Sequence, residues 1–129
     1  MNVTRWLAAY AQAWRDGDAG AIAELFTEDA TSANDPHAPA HAGRPAIAAY
    51  WAAEIAGQSG VRPRFGSPVL DGDRAAVEWW ATLHEPDPVT YAGCLVLRFA
   101  PDGRCAELRE YWNRRPGAHT EPPDHWGRP

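Results

Sequence analysis

The chain contains no lysine, so all twelve of its basic residues are arginine. Chemistry that needs an amine, whether a Schiff base or a Ser-Lys dyad, is therefore excluded. Serine is also scarce: only Ser32, Ser59 and Ser67 occur, none in a nucleophile-elbow pattern, which argues against acyl transfer through serine. The two cysteines, Cys94 and Cys105, read as a reduced, buried pair on consecutive strands, where they could be neighbours. A net charge of -5 and a pI near 5.4, with scattered arginines and no polybasic run, argue against nucleic acid and against an anionic membrane surface. No apolar run reaches transmembrane length, and the N-terminal stretch lacks the apolar core of a signal peptide. A cytoplasmic location is the expectation. His37 and His41 are four apart but lie in a proline-containing loop with no third ligand at a recognisable spacing, so no metal is expected.

What is present is enough for one core. A chain of 129 residues fits a single domain. Residues 74–84 (RAAVEWWATLH), 90–99 (TYAGCLVLRF) and 105–113 (CAELREYWN) are rich in β-branched and aromatic residues and are separated by EPDP and PDGR turns. They read as three long strands. Residues 61–70 begin the sheet, but Pro63, Gly66 and Pro68 make an irregular edge strand. Upstream of Ser59 the pattern is chiefly helical. Trp6, Leu7, Tyr10, Ala13 and Trp14 share one face of a first helix, Gly17 ends it, and Asp18 caps a second running to Phe26. A short extended segment at 30–33 and a loop, NDPHAPAHAG, precede a third helix that starts at Gly43-Arg44-Pro45 and ends at Gly57 to Gly60. The sum is an α+β fold: three N-terminal helices packed on one side of a bent, mostly antiparallel sheet, which makes a cup. Residues 116–129 read as a Pro-rich coil tail after a domain spanning 1–115, pinned through Trp126.

The stretches W14-RDGDAGAIAELFTEDA, HAGRPAIAAYW and LVLRFAPDGRCAELREYW, in this order, resemble the nuclear transport factor 2-like superfamily and, within it, SnoaL-like proteins. The resemblance implies a cone-shaped α+β barrel, with the three helices packed in the concave face of the sheet. That superfamily includes ketosteroid isomerase, limonene epoxide hydrolase, scytalone dehydratase and polyketide cyclases beside many binding or uncharacterised proteins, and in all of them the cup is the functional site. The resemblance to the isomerase implies a tyrosine oxyanion donor at Tyr10, seven residues before Gly17. It implies a base at Asp35, in Asp35-Pro36, or at Asn34 by ungapped counting from Phe26. The isomerase's second donor, an aspartate, falls on Leu95. Of the epoxide hydrolase's three polar groups, two fall on Trp79 and Ala81, and only the last acid is matched, by Glu110 in LREYW.

The same comparison implies which strand faces point inward: Val77, Trp79, Ala81 and Leu83, then Tyr91 and Leu95, then Leu108, Glu110 and Trp112. Outward-facing Glu78, Arg98 and Arg109 are expected to pair across strands. The pocket is then lined by Tyr10, Trp14, Tyr50, Trp79, Tyr91, Leu95 and Trp112, with Asn34 and His37 at its rim and His37 a proton relay. It suits a small hydrophobic or aromatic molecule, flat or polycyclic. Catalysis is expected from Asp35 or Glu110 as base and Tyr10 as donor, on a carbonyl compound and without a cofactor. The bland alternatives are a core Tyr10 bonded to a backbone carbonyl, a Glu110 bridging to Arg44 or Tyr50, and an Asp35 that only makes a turn. A non-catalytic binding or assembly module of the same fold is the competing function. Trp80, Val96 and Tyr111, expected on the outer face, suggest a homodimer.

Overall fold

In the computed structural model, which describes residues 2–129, three helices pack against one curved sheet of seven strands. The elements in order are α1 (Val3–Asp16), α2 (Ala19–Ala23), β1 (Phe26–Ala33), β2 (His41–Ala42) and α3 (Arg44–Ala56), followed by five strands. These are β3 (Ser59–Phe65), β4 (Val69–Asp71), β5 (Arg74–His84), β6 (Pro88–Phe99) and β7 (Cys105–Pro116). The sheet order is β2-β1-β7-β6-β5-β3, with β4 also on β5, and it does not close. All pairings are antiparallel except β1 with β7. This is the cone-shaped α+β architecture expected from the sequence.

Local chemistry explains the helix ends. The Asn2 side chain accepts the Arg5 N–H and starts α1, and Gly17 ends it at φ 65°, a left-handed conformation that glycine adopts without a Cβ clash. Asp18 then caps α2 by accepting the Ala21 N–H at 2.9 Å. Losing that cap in Asp18→Ala is expected to cost about 1 kcal/mol, read from the midpoint of urea unfolding. An unchanged midpoint would mean that α2 holds without it.

The second helix is shorter than expected. Cys105 donates its N–H to the Leu25 carbonyl at 2.9 Å, and Phe26 already pairs in parallel with Cys105. A five-residue helix has little stability of its own, so the tertiary ladder takes Phe26. The extended segment expected at 30–33 is therefore the end of an eight-residue strand. Its alternation puts Phe26, Ala30 and Ser32 inside, and Asn34 continues that side.

The long hairpins keep the expected strands, but β7 continues past Asn113 because Tyr91, Thr90 and Val89 still pair with Arg114, Arg115 and Pro116. The cysteines are not neighbours: Cys94 lies opposite Tyr111, Cys105 opposite Phe99, and both are free. The expected cross-strand pairing of Glu78, Arg98 and Arg109 is also replaced. Arg109 binds Glu107 two residues away on its own strand at 2.6 Å, while Arg98 lies opposite Arg74 and Glu107. Same-side neighbours along one strand lie about 6.7 Å apart, within reach of long Arg and Glu side chains.

Residues beyond Pro116 cross the outer face of the sheet. The Thr90 hydroxyl donates to the Ala118 carbonyl and accepts the Thr120 N–H, both at 2.8 Å. Arg64 pairs with Glu121 at 2.8 Å and stacks over Trp126, and Ser67 donates its N–H to the Gly127 carbonyl. Trp80 is half-buried in a groove it shares with His119 and Pro122, whereas Tyr111, farther along that face, is 47% exposed. No helix among the described residues is long and apolar enough to cross a membrane.

Candidate active site

Between α1, α3 and the inner sheet face lies a cavity of about 220 Å³. Its walls are four indoles, Trp14, Trp51, Trp79 and Trp112, and two phenols, Tyr50 and Tyr91. Glu54, Gln58 and Glu110 supply its polar groups. The helix spacing explains half of this: Tyr50, Glu54 and Gln58 recur every four residues along and just beyond α3 and so lie on one side. The strand period explains the rest, since Trp79 lies opposite Gly93, which lies opposite Trp112, all on the inner face. The rings interlock edge to face, Trp14 with Trp51 at 5.4 Å and Tyr91 with Trp112 at 5.4 Å between centroids.

Glu110 is the chemically distinctive group. It sits in the cavity wall, and burial among the rings pushes its carboxyl up to about 7; the Asn34 amide pulls it back, by more than nearby Glu54 pushes it up. The Asn34 Nδ2 lies 3.5 Å from Glu110 Oε1. Ser32 orients that amide by donating its hydroxyl to Asn34 Oδ1 at 2.9 Å, and Trp112 Nε1 holds the Asn34 carbonyl at 2.7 Å. Glu54 is itself raised, by burial and then by Glu85. Tyr50 is raised well above the usual phenol value, by burial first and by Glu110 next, so it stays a neutral donor. At the mouth the Tyr91 hydroxyl donates to Glu85 at 2.6 Å and is pushed up to about 12, while Arg114 bonds both groups at 3.2 Å.

The expected site residues divide into three sets. Trp14, Tyr50, Trp79, Tyr91, Trp112 and Glu110 line the cavity together. Asn34 stands directly behind Glu110, and Leu95, 1% exposed, is core beneath the floor. The third set lies elsewhere. Tyr10 is sealed at 2% exposure behind the cavity lining, stacked on Trp6; its hydroxyl has no hydrogen-bond partner, and burial first and Glu110 next raise it well above the usual phenol value. Asp35 and His37 are exposed on the other side of β7, where the Asp35 carboxylate accepts the His37 N–H at 2.8 Å. The inward run Ala30, Ser32, Asn34 leaves Asp35 facing out and sets Asn34, not Asp35, beside Glu110. Arg44 does not bridge to Glu110; its guanidinium donates to the Phe26 carbonyl.

Trp51, Glu54 and Gln58 escaped the sequence reading as cavity residues. The four-residue step from Tyr50 to Glu54 to Gln58 was the available signal. Among the described residues no three His, Cys, Asp or Glu side chains converge as metal ligands.

A model of the SnoaL-like domain matches residues 7–108, a span that includes the helices, the cavity floor and most of the sheet. The chain belongs to the SnoaL-like family. Its architecture is that of the nuclear transport factor 2-like superfamily, to which this SnoaL-like domain is joined by two solved structures as well. One is SalBIII, an epoxide hydrolase/cyclase-like enzyme described for its role in pyran ring formation in the polyether salinomycin; it is 25% identical, with TM-score 0.75 over 85% of this chain and 89% of that one. The other is a hypothetical protein of ketosteroid isomerase-like fold from Catenulispora acidiphila DSM 44928, in complex with trimethylamine; it is 22% identical, with TM-score 0.74 over 82% and 83%. No curated protein matches. In this SnoaL-like domain, then, the cup is lined by rings and two raised carboxylates.

Proposed function

We propose that this SnoaL-like protein is a cofactor-free general acid/base enzyme of isomerase, cyclase or dehydratase type, acting on a small carbonyl compound. The observation that carries the reading is Glu110, a carboxyl raised to about 7 in the wall of an aromatic cavity. A group titrating near neutrality is close to the optimum for moving protons in both directions. Glu110 takes the proton next to the carbonyl, and the neutral Tyr50 hydroxyl donates a hydrogen bond to the developing oxyanion, the part first given to Tyr10. Glu54, also raised, is placed to return a proton. Similarity to an epoxide hydrolase/cyclase-like enzyme supports an enzymatic role.

The cavity limits substrate size. Pockets for drug-sized ligands run from about 300 Å³ upward, so about 220 Å³ favours a compact molecule over the polycyclic one expected from the sequence. Screening small ketones and hydroxyketones for proton exchange or isomerisation by NMR tests the proposal. The expected profile rises with pH through about 7 as Glu110 becomes the carboxylate base. Binding without turnover across the panel would favour the alternative, a ligand-binding module, for which the sealed Tyr10 hydroxyl and the outward Asp35 already speak.

A further inference from the structure

We infer that the cavity takes a ligand bearing a small alkylated ammonium group, held between the aromatic faces and the carboxylates of Glu54 and Glu110. This rests on reading the cavity as a ligand site, but not on any turnover by Glu110.

Three observations carry it. First, the lining holds two carboxylates and no arginine or histidine, so its fixed charge has one sign. The nearest guanidinium at the mouth, Arg114, is engaged by Glu85 and Tyr91. Second, the indoles present carbon surface to the space, not N–H donors. Trp14 Nε1 donates to Gln58 at 2.9 Å and Trp112 Nε1 to the Asn34 carbonyl, while the nitrogens of Trp51 and Trp79 are sealed without partners. Beyond the Tyr50 hydroxyl and the Gln58 amide, a ligand rich in hydrogen-bond acceptors, or an anion, finds few donors there. An alkylated cation finds ring faces whose quadrupoles attract it and needs few hydrogen bonds. Third, the size fits: about 220 Å³ admits a compact head group.

The carboxylates explain why a cation would be preferred over an apolar isostere. Glu110 is faced by Tyr10 from α1 and by Tyr50 and Glu54 from α3, with Glu85 beyond Glu54; none of these brings positive charge. Two acids that repel each other in poor solvent are each relieved by a cation between them. Binding and ionisation are therefore linked, so the ammonium draws Glu110 into its charged form, and affinity rises with pH through the range where the empty site titrates. A bound ammonium would also leave Glu110 as a ready base.

The test is titration with choline, tetramethylammonium and the uncharged choline isostere 3,3-dimethylbutan-1-ol, followed by tryptophan emission and calorimetry. Choline is expected to bind at least roughly tenfold more tightly than the isostere. Its affinity should increase from about pH 6 to about pH 8, and Glu110→Gln should weaken it and flatten that dependence. Glu54→Gln, on the helix surface side of the cavity, keeps the test alive if the first variant folds poorly. Trp112→Leu, at a ring 42% exposed, should weaken choline and spare the isostere. Equal or tighter binding of the isostere would overturn the ammonium inference while leaving the ligand site standing. Failure of all three probes, together with the carbonyl panel, would remove both.

Discussion

Glu110→Gln is expected to abolish most proton transfer and, at the same time, to make the protein more stable above neutral pH. The loss of rate should be about 10²- to 10⁴-fold, the usual contribution of a positioned acid or base. The stability gain follows from linkage. Unfolded, Glu110 titrates at about 4.3, and folded at about 7, so between these values the native state holds a proton that the unfolded state has lost. Stability contributed by the neutral acid is complete below the unfolded value and declines as pH rises towards the folded one. Above about 7 the native protein carries a carboxylate that its surroundings disfavour, at a cost of up to about 4 kcal/mol. Glutamine keeps the shape and the carbonyl acceptor facing Asn34 but never ionises. Urea unfolding of both proteins across pH should give curves that meet in acid and separate by that amount in base. Parallel curves, or a variant less stable at high pH, would show that Glu110 is not held against its ionisation.

Gly93→Ala is expected to be the most damaging single-methyl change in the chain. A Cβ at Gly93 would overlap the Tyr111 carbonyl oxygen and the Cα of Trp112, both on the paired strand β7. Neither is the free end of a flexible side chain, so relief requires the strands to part where the sheet carries Trp79 on one side and Trp112 on the other. The cost should be about 3 kcal/mol or more, at the top of the range for overpacking. Gly20→Ala is the matching control. Its Cβ meets only Asp18 Oδ1 at 3.5 Å, and alanine within α2 should raise stability by about 0.5–1 kcal/mol. Equal effects of the two substitutions would show that the close strand approach at Gly93 is unimportant.

The strands were legible because their signal is local. Alternating apolar residues from Ala75 to Leu83 and the Pro101 to Arg104 turn specify a hairpin whatever lies around it. Asp18 and Pro45 likewise mark helix starts through their own backbone chemistry. The parallel partnership of β1 with β7 was not legible, since Phe26 and Cys105 are far apart in the sequence and no local pattern in either marks the other as its partner. The same holds for the site. Glu110 and the rings of Trp79, Tyr91 and Trp112 follow from the inward face that the resemblance to the epoxide hydrolase implies, which strand parity carries along the sheet. Tyr10 rests on the resemblance to the isomerase, matched through its spacing to Gly17, and such a match does not say how deep the helix face is buried. Asp35 was drawn in by an Asp-Pro pair, whereas the alternation of Ala30, Ser32 and Asn34 turns it outward. Glu54 and Gln58 were missed because polar residues on a helix read as solvated until a cavity is found beneath them.

The most direct test of the account is the titration of the Glu110 side-chain carboxyl by ¹³C NMR, with Glu110→Gln used to assign the resonance. A midpoint at about 7 is expected, shifting downward when an ammonium ligand is added. A midpoint at the ordinary glutamate value of about 4.3 would contradict it.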